Sequence, residues 1–113
     1  MPKNLKMHLE KEPFVKIASG KKTVEIRLYD EKRKRIEVGD TIEFFYGEKS
    51  LLTRVVSLSR FKSFFELFVA LPEKSGMDGT SAEEAAKSMY RYYTAEQETK
   101  YGVLGIEIEV LAR

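Results

Sequence analysis

The chain has 113 residues, of which 42% are hydrophobic and 34% charged, a balance typical of a globular domain long enough to bury a core. It has no cysteine and a single histidine, so disulfides, thiolate zinc sites, cysteine nucleophiles and histidine-rich metal centres are excluded. No apolar run approaches the roughly 20 residues of a membrane-spanning helix, and the N-terminal residues do not resemble a secretory signal. We therefore expect one domain over residues 1–113, located in the cytoplasm, with no metal, no cofactor and no membrane contact.

The net charge of +2 is distributed unevenly along the chain. Residues 1–62 contain fifteen Lys or Arg against nine Asp or Glu, whereas residues 63–113 contain five against nine. A basic half beside an acidic half suggests an oriented surface that attracts a polyanion. The alternatives are a lopsided charge without a partner and a protein-interaction domain whose acidic half meets a basic protein.

The first half of the chain reads as strands around one short helix. Alternating apolar residues predict four strands, over residues 3–9, 23–28, 41–46 and 51–61. Pro13 suits the first turn of a helix that ends at Gly20. A charged connection follows the second strand, and Gly39 with Asp40 predicts a turn before the third.

The second half reads as helices followed by one strand. Three sites carry the capping-box pattern that begins a helix: Ser63 with Glu66, Ser81 with Glu84, and Thr94 with Gln97. They predict helices over residues 64–71 and 82–90 and a short helical turn over 95–100. Four apolar residues of the helix predicted over residues 64–71 are expected in the core: Phe64, Phe65, Leu67 and Phe68. A last strand with one buried face is predicted over residues 103–111, so the fold is α+β, and its strands can curl into a small open barrel.

The segment of residues 20–27, Gly-Lys-Lys-Thr-Val-Glu-Ile-Arg, carries the densest polar chemistry. Side chains alternate along a strand, so one face carries the apolar residues Val24, Ile26 and Leu28. The other face carries a hydroxyl, an acid and a base: Thr23, Glu25 and Arg27. Burial of the apolar face would make these polar groups project together, which predicts a basic corner with one fixed carboxylate.

Three sequence features together resemble the ASCH domain family. They are Pro13-Phe14 before the segment of residues 20–27, the turn Val38-Gly39-Asp40 before a strand, and the closing segment of residues 101–106. The resemblance covers nearly the whole chain and implies a PUA-like fold, a small open β-barrel with flanking helices. It also implies a cleft beside the barrel that binds RNA or a nucleoside. A few members are enzymes: small bacterial ones hydrolyse N4-acetylcytidine, and a ribonuclease activity has been attributed to another.

The resemblance favours an RNA- or modified-nucleotide-binding domain and nominates its residues. Lys22 would meet phosphate as a point charge, Arg27 would offer a planar fork, and Glu25 would accept from a base edge. Further cations are expected from Lys21 and, on the connection after the second strand, from Arg33 and Arg35. Tyr93 is the expected stacking wall of the pocket. For each group the alternative is structural: solvated cations, a simple Glu25–Arg27 pair, and a tyrosine packed in the core.

The second interpretation is a small hydrolase of a modified pyrimidine nucleoside, of the N4-acetylcytidine amidohydrolase type, or a ribonuclease. Lys22 and Glu25 would then handle protons around an attacking water. Those hydrolases resemble this chain except that a threonine stands at the strand position of Glu25. The nearest hydroxyl here is Thr23, two residues earlier on the same face, so Thr23 is the candidate nucleophile if the protein is an enzyme.

Overall fold

The computed structural model describes residues 1–112, and its elements follow the predicted order. They are β1 (Asn4–His8), α1 (Lys11–Ala18), β2 (Val24–Leu28), β3 (Thr41–Tyr46), β4 (Lys49–Phe61), α2 (Phe64–Ala70), α3 (Ala82–Ser88), α4 (Ala95–Tyr101) and β5 (Val103–Ala112). Short 3-10 turns lie at Arg33–Arg35 and Met89–Arg91. Most boundaries differ from the sequence-based ones by one or two residues, and α4 is a seven-residue helix rather than a brief turn.

The five strands form one sheet in the order β1-β3-β4-β5-β2. β1 pairs with β3 in parallel and every other pair is antiparallel, which leaves β1 and β2 at the two edges. Two register shifts in the β4–β5 ladder, at Leu52/Thr53 and Val55/Ser57, introduce the irregularities that bend a strand. The predicted α+β fold with an open, curled sheet is confirmed.

Apolar side chains are buried on both faces of the sheet. The first cluster includes Phe14 and Ile17 of α1 together with Phe44 and Ile106 of the sheet. The second cluster, on the opposite face, is formed by α2, α3 and the β2 and β5 side chains that point toward them. The expectation of one buried face on β5 was wrong for its first half, where Val103 is as buried as Ile106, because α2 covers the second face.

Each of the three predicted caps begins a helix. The side chains of Ser63, Ser81 and Thr94 accept from the backbone N–H of Glu66, Glu84 and Gln97 respectively. The Thr94 cap is reciprocated, because the Gln97 side chain accepts from the Thr94 N–H at 2.9 Å.

The assignment of Phe65 to the core was wrong, since it is 48% exposed. α2 buries Phe64, Leu67 and Phe68, which recur at helical spacing, and Phe65 falls on the opposite side.

Asp40 completes the turn before β3. Its carboxylate accepts from the backbone N–H groups of Lys3 and Glu37 at 2.8 and 2.9 Å. Burial would raise the pKa of the Asp40 carboxyl, but these hydrogen bonds and the Lys3 ammonium hold it below its usual range. Within residues 1–112, no helix has the length and apolar character needed to cross a bilayer.

Candidate functional site

A cleft lies at the open side of the barrel, where the edge strands β1 and β2 come together without pairing. Its volume is about 580 Å³. The walls come from the end of β1, the start of α1, the middle of β2 and the segment of residues 89–93 that follows α3. The chain thus brings four separate segments to one hollow, and the polar face of β2 forms its charged wall.

Lys22, Glu25 and Arg27 meet in this cleft. Lys22 Nζ lies 3.2 Å from Glu25 Oε1, and Arg27 Nε lies 3.0 Å from Glu25 Oε2. Glu25 is only 5% exposed. In the β2–β5 ladder Glu25 is opposite Ile106, whose side chain belongs to the first core cluster. The polar face of β2 therefore points toward the barrel interior rather than toward bulk solvent.

Glu25 is ionised although it is buried. Burial alone would raise the pKa of its carboxyl. The charges of Lys22 and Arg27, together with hydrogen bonds from Lys22 and the Ile26 backbone, outweigh burial and hold the pKa below its usual range. Because one carboxylate faces two cations, the trio carries a net positive charge.

The Lys22 side chain is held by the loop between α2 and α3. Gly76 of this loop has φ +77°, and a Cβ built on it would lie 2.9 Å from the Cβ of Lys22. The loop backbone is fixed from the other side, because Lys16 Nζ donates to the Gly76 carbonyl at 2.9 Å. The absence of a side chain at Gly76 is what allows the loop to pack directly on the Lys22 stem.

Arg91, Tyr92 and Tyr93 form the rim opposite the trio. Tyr93 stacks on Phe64 with ring centroids 5.7 Å apart and an interplanar angle of 22°, so one of its ring faces is already covered. Burial raises the pKa of the Tyr93 hydroxyl, which therefore stays protonated at neutral pH. Tyr92 is 46% exposed, and the Arg91 guanidinium lies 5.5 Å from its ring centre.

Four of the nominated residues lie outside the cleft lining. Lys21 is exposed, and Thr23 is half-buried with its backbone bonded to Lys74 and Ile108. Arg33 pairs with Asp30 at 3.1 Å, and Arg35 is exposed on the same 3-10 turn. The other four residues that the sequence nominated do line the cleft: Lys22, Glu25, Arg27 and Tyr93.

Other lining residues gave weaker sequence signals. His8 and Glu10 reach the cleft from the end of β1 and the start of α1, and Met89 reaches it from the segment after α3. Arg91 and Tyr92 were visible in the sequence as a basic and aromatic pair before Tyr93. What no local pattern indicates is that residues 8–10 face residues 89–93, since this depends on the closure of the barrel. Within residues 1–112, His, Asp and Glu side chains form no group of three or more that could hold a metal ion.

The model of the ASCH domain matches residues 7–112, which is nearly the whole chain. The chain belongs to the ASCH domain family. Its fold is the α+β, PUA-like small open β-barrel with flanking helices that the sequence resemblance implied. A search of proteins with curated descriptions gives no match.

Solved structures place this ASCH domain among similar chains. The crystal structure of the hypothetical protein PH0355 is 38% identical with a TM-score of 0.88, over 96% of this chain and 99% of that one. A Pyrococcus furiosus protein solved by NMR is 39% identical with a TM-score of 0.78, over 96% and 97% of the two chains. The crystal structure of a mutant of ZmASCH from Zymomonas mobilis is 14% identical with a TM-score of 0.60, over 96% and 70%, and this likeness concerns the fold alone.

Proposed function

We propose that this ASCH domain binds single-stranded RNA and takes one unstacked, standard or modified base into the cleft beside Lys22. The observation that carries the proposal is the meeting of Lys22, Glu25 and Arg27 on one wall of a concave site. A PUA-like fold is compatible with this function, but fold alone does not assign it. The donors, charges and ring faces of the cleft are what favour RNA as the ligand.

The trio offers hydrogen-bond donors to an anionic or carbonyl oxygen. Lys22 has three N–H groups and Arg27 has five, of which the bonds to Glu25 and to the His8 carbonyl use only part. The remaining donors suit phosphate and the carbonyl oxygens of a pyrimidine. Each carboxylate oxygen of Glu25 contacts one cation, so Glu25 orients the Lys22 and Arg27 side chains. Its remaining lone pairs can accept from an exocyclic amine.

Aromatic side chains on the rim offer a stacking surface. Tyr92 is the better platform for a base, because it is 46% exposed whereas Phe64 covers one face of Tyr93. Tyr93 then acts as a side wall with a protonated hydroxyl. Base stacking on an aromatic ring contributes about 1–3 kcal/mol per base and tolerates any sequence.

The basic turn after β2 extends the proposed RNA path beyond the cleft. Arg33 and Asp30 lie close enough to Tyr93 to influence the pKa of its hydroxyl. Arg33 is held in place by Asp30, which accepts from its Nη1 at 3.1 Å, and among the described residues its Nε is buried without a hydrogen-bond partner. We assign Arg33 and Arg35 to backbone phosphates, which they would contact without reading sequence, and Lys21 to a weaker, long-range attraction.

The proposal is tested by fluorescence anisotropy with a labelled single-stranded RNA at several salt concentrations. Wild-type protein should bind with an affinity that falls as salt rises, with a slope of about −0.7 per phosphate contact. Lys22→Met should weaken binding by about tenfold and make this slope shallower, while Lys21→Met, which changes the exposed neighbour, should have little effect. Absence of binding at low salt, or equal effects of the two substitutions, would overturn the proposal.

The buried contact between Lys22 and Glu25 also suits the second candidate, a hydrolase of a modified pyrimidine nucleoside. Binding is favoured, because a carboxylate whose pKa is held low is a weak general base and Thr23 lies outside the cleft lining. Incubation with N4-acetylcytidine, followed by chromatography, separates the two. We expect no release of cytidine; release that Lys22→Met and Glu25→Gln abolish would establish the hydrolase instead.

A further inference from the structure

A second hollow of about 470 Å³ adjoins the cleft and lies between α1 and α3. We call the cleft beside Arg27 the first lobe and this hollow the second lobe. Seven residues line both lobes: Glu10, Pro13, Lys22, Ile26, Met89, Arg91 and Tyr92. Each lobe is within the roughly 300–1,000 Å³ range of pockets for small ligands. A ligand that fills both lobes would therefore contact the residues at their boundary, including Lys22, Arg91 and Tyr92.

The second lobe differs from the first in its chemistry. The apolar residues that line its floor and not the first lobe include Phe68 and Met77. Three carboxylates and two lysines line it without lining the first lobe: Glu12, Asp78, Glu84, Lys11 and Lys16. Its Lys16 is already engaged, because Nζ lies 3.2 Å from Glu12 Oε1 and donates to the Gly76 carbonyl.

These features disfavour a phosphate inside the second lobe and favour a neutral group rich in donors. Among the charged residues that line this lobe alone, three carboxylates face two lysines, so a phosphate is less favoured here than beside Lys22 and Arg91. The carboxylates accept well from amines and hydroxyls, and a carboxylate is the ordinary partner of the cytosine amine. The methionine and phenylalanine floor suits the flat face of a base. The cations shared by both lobes, Lys22 and Arg91, are the place where a phosphate would be stabilised.

We infer that the second lobe is a subsite for the neighbouring nucleotide, so that the ligand is a strand of at least two linked nucleotides rather than a free nucleoside. The linking phosphate lies at Lys22 and Arg91, one base occupies the first lobe, and the next base and its sugar occupy the second lobe. This inference rests on the proposed function, since it requires that the first lobe binds a nucleotide.

Calorimetry with mononucleotides and a dinucleotide tests the inference. The probes are 3′-CMP, 5′-CMP and the dinucleotide CpC. CpC carries less negative charge than either monophosphate, so charge alone predicts that it binds more weakly. We expect it to bind at least about tenfold more tightly, because only CpC fills both lobes at once.

Ser88→Tyr provides the matched variant. Ser88 is exposed on α3, its hydroxyl donates to the Ala85 carbonyl of its own helix, and it lines the second lobe but not the first. A tyrosine there should block the second lobe without crowding the core. The control is Thr99→Tyr, because Thr99 is also exposed and bonded to its own helix but lies away from both lobes.

Ser88→Tyr should reduce the affinity for CpC to that for CMP and leave CMP binding unchanged, whereas Thr99→Tyr should change neither. Equal affinities of wild-type protein for CpC and CMP would overturn the assignment of the second lobe as a nucleotide subsite and leave the proposed function intact. Failure of all three probes and of longer RNA would overturn both. Unchanged CpC binding by a folded Ser88→Tyr protein, verified by its amide NMR spectrum, would also contradict the inference.

Discussion

Arg27 joins the two edges of the open barrel, because its Nη2 donates to the carbonyl oxygen of His8 at 2.8 Å. The same guanidinium donates through Nε to Glu25 at 3.0 Å. β1 and β2 are the edge strands of the sheet, so this side chain spans the gap that backbone pairing leaves open. One residue thus contributes both to barrel closure and to the charge of the cleft.

Replacing Arg27 by lysine should destabilise the protein although the charge is kept. A lysine lacks the planar fork that reaches Glu25 and His8 together. We expect a loss of about 1–3 kcal/mol in the free energy of unfolding, measured by urea denaturation. Arg54→Lys, at an exposed pair with Glu109 at 3.3 Å, is the control and should be nearly neutral. Equal stabilities of the two variants would show that Arg27 does not join the strands.

Gly76→Ala should displace Lys22 as well as strain the loop. Gly76 and Gly79 both have positive φ, of +77° and +74°, so an alanine at either position costs about 1–2 kcal/mol. Only at Gly76 does the added Cβ meet the Lys22 stem; at Gly79 nothing lies within 4 Å. We therefore expect Gly76→Ala to lower the thermal stability as much as Gly79→Ala does, or slightly more. Only Gly76→Ala should lose RNA affinity. Equal RNA affinities of the Gly76→Ala and Gly79→Ala proteins would contradict the proposed packing of Gly76 on Lys22.

These contacts also mark what the sequence can and cannot predict. The alternation of residues 24–28 and the capping residues Ser63, Ser81 and Thr94 are local signals, and each element they predicted is present. The meeting of Glu25 with Arg27 follows from the same alternation, since residues two apart on a strand share a face. Lys22 lies before β2 and three residues from Glu25, so its contact with the carboxylate depends instead on the loop at Gly76 that packs on its stem.

The opposite rim was not predictable in the same way. His8 faces Arg91 and Tyr92 only after β1 has paired with β3 and the helices have packed on β2, contacts between residues far apart in sequence. The exposure of Phe65 and the double burial of Val103 depend likewise on where α2 lies. Local patterns do not specify such placements.

Glu25 should contribute to the acid sensitivity of the fold. A carboxyl whose pKa is lowered by folding stabilises the protein above its unfolded value of about 4.5, and this contribution is lost as pH falls through the lower folded value. Glu25→Gln should be less stable at neutral pH by about 3–5 kcal/mol, because two buried cations lose their counter-charge.

The difference in the free energy of unfolding between wild-type and Glu25→Gln protein should become smaller as the pH falls below about 4.5. Urea denaturation at a series of pH values measures this difference. Some acid sensitivity should persist in the variant, because the pKa values of Asp40 and Glu107 are also lowered in the folded protein. A difference in unfolding free energy that stays constant down to strongly acidic pH would contradict the assignment of an ionised Glu25.

Tyr92→Ala should weaken RNA binding by the loss of one stacked base, about 1–3 kcal/mol in binding free energy. The side chain is 46% exposed, so the fold should tolerate the change with little loss of stability. Tyr92→Phe keeps the ring and should bind RNA like the wild type, which separates stacking from a hydroxyl contact. If alanine and phenylalanine bind RNA equally well, Tyr92 is not the platform.

The most direct test of the RNA-binding cleft is an amide NMR titration of the wild-type protein with a short oligocytidine. Perturbed resonances should concentrate in the end of β1, residues 22–27 and residues 89–93, which are the segments that surround the cleft. Smaller changes are expected in the 3-10 turn Arg33–Arg35. Perturbations confined to that turn, or to the exposed ends of β4 and β5, with residues 22–27 unaffected, would contradict the account.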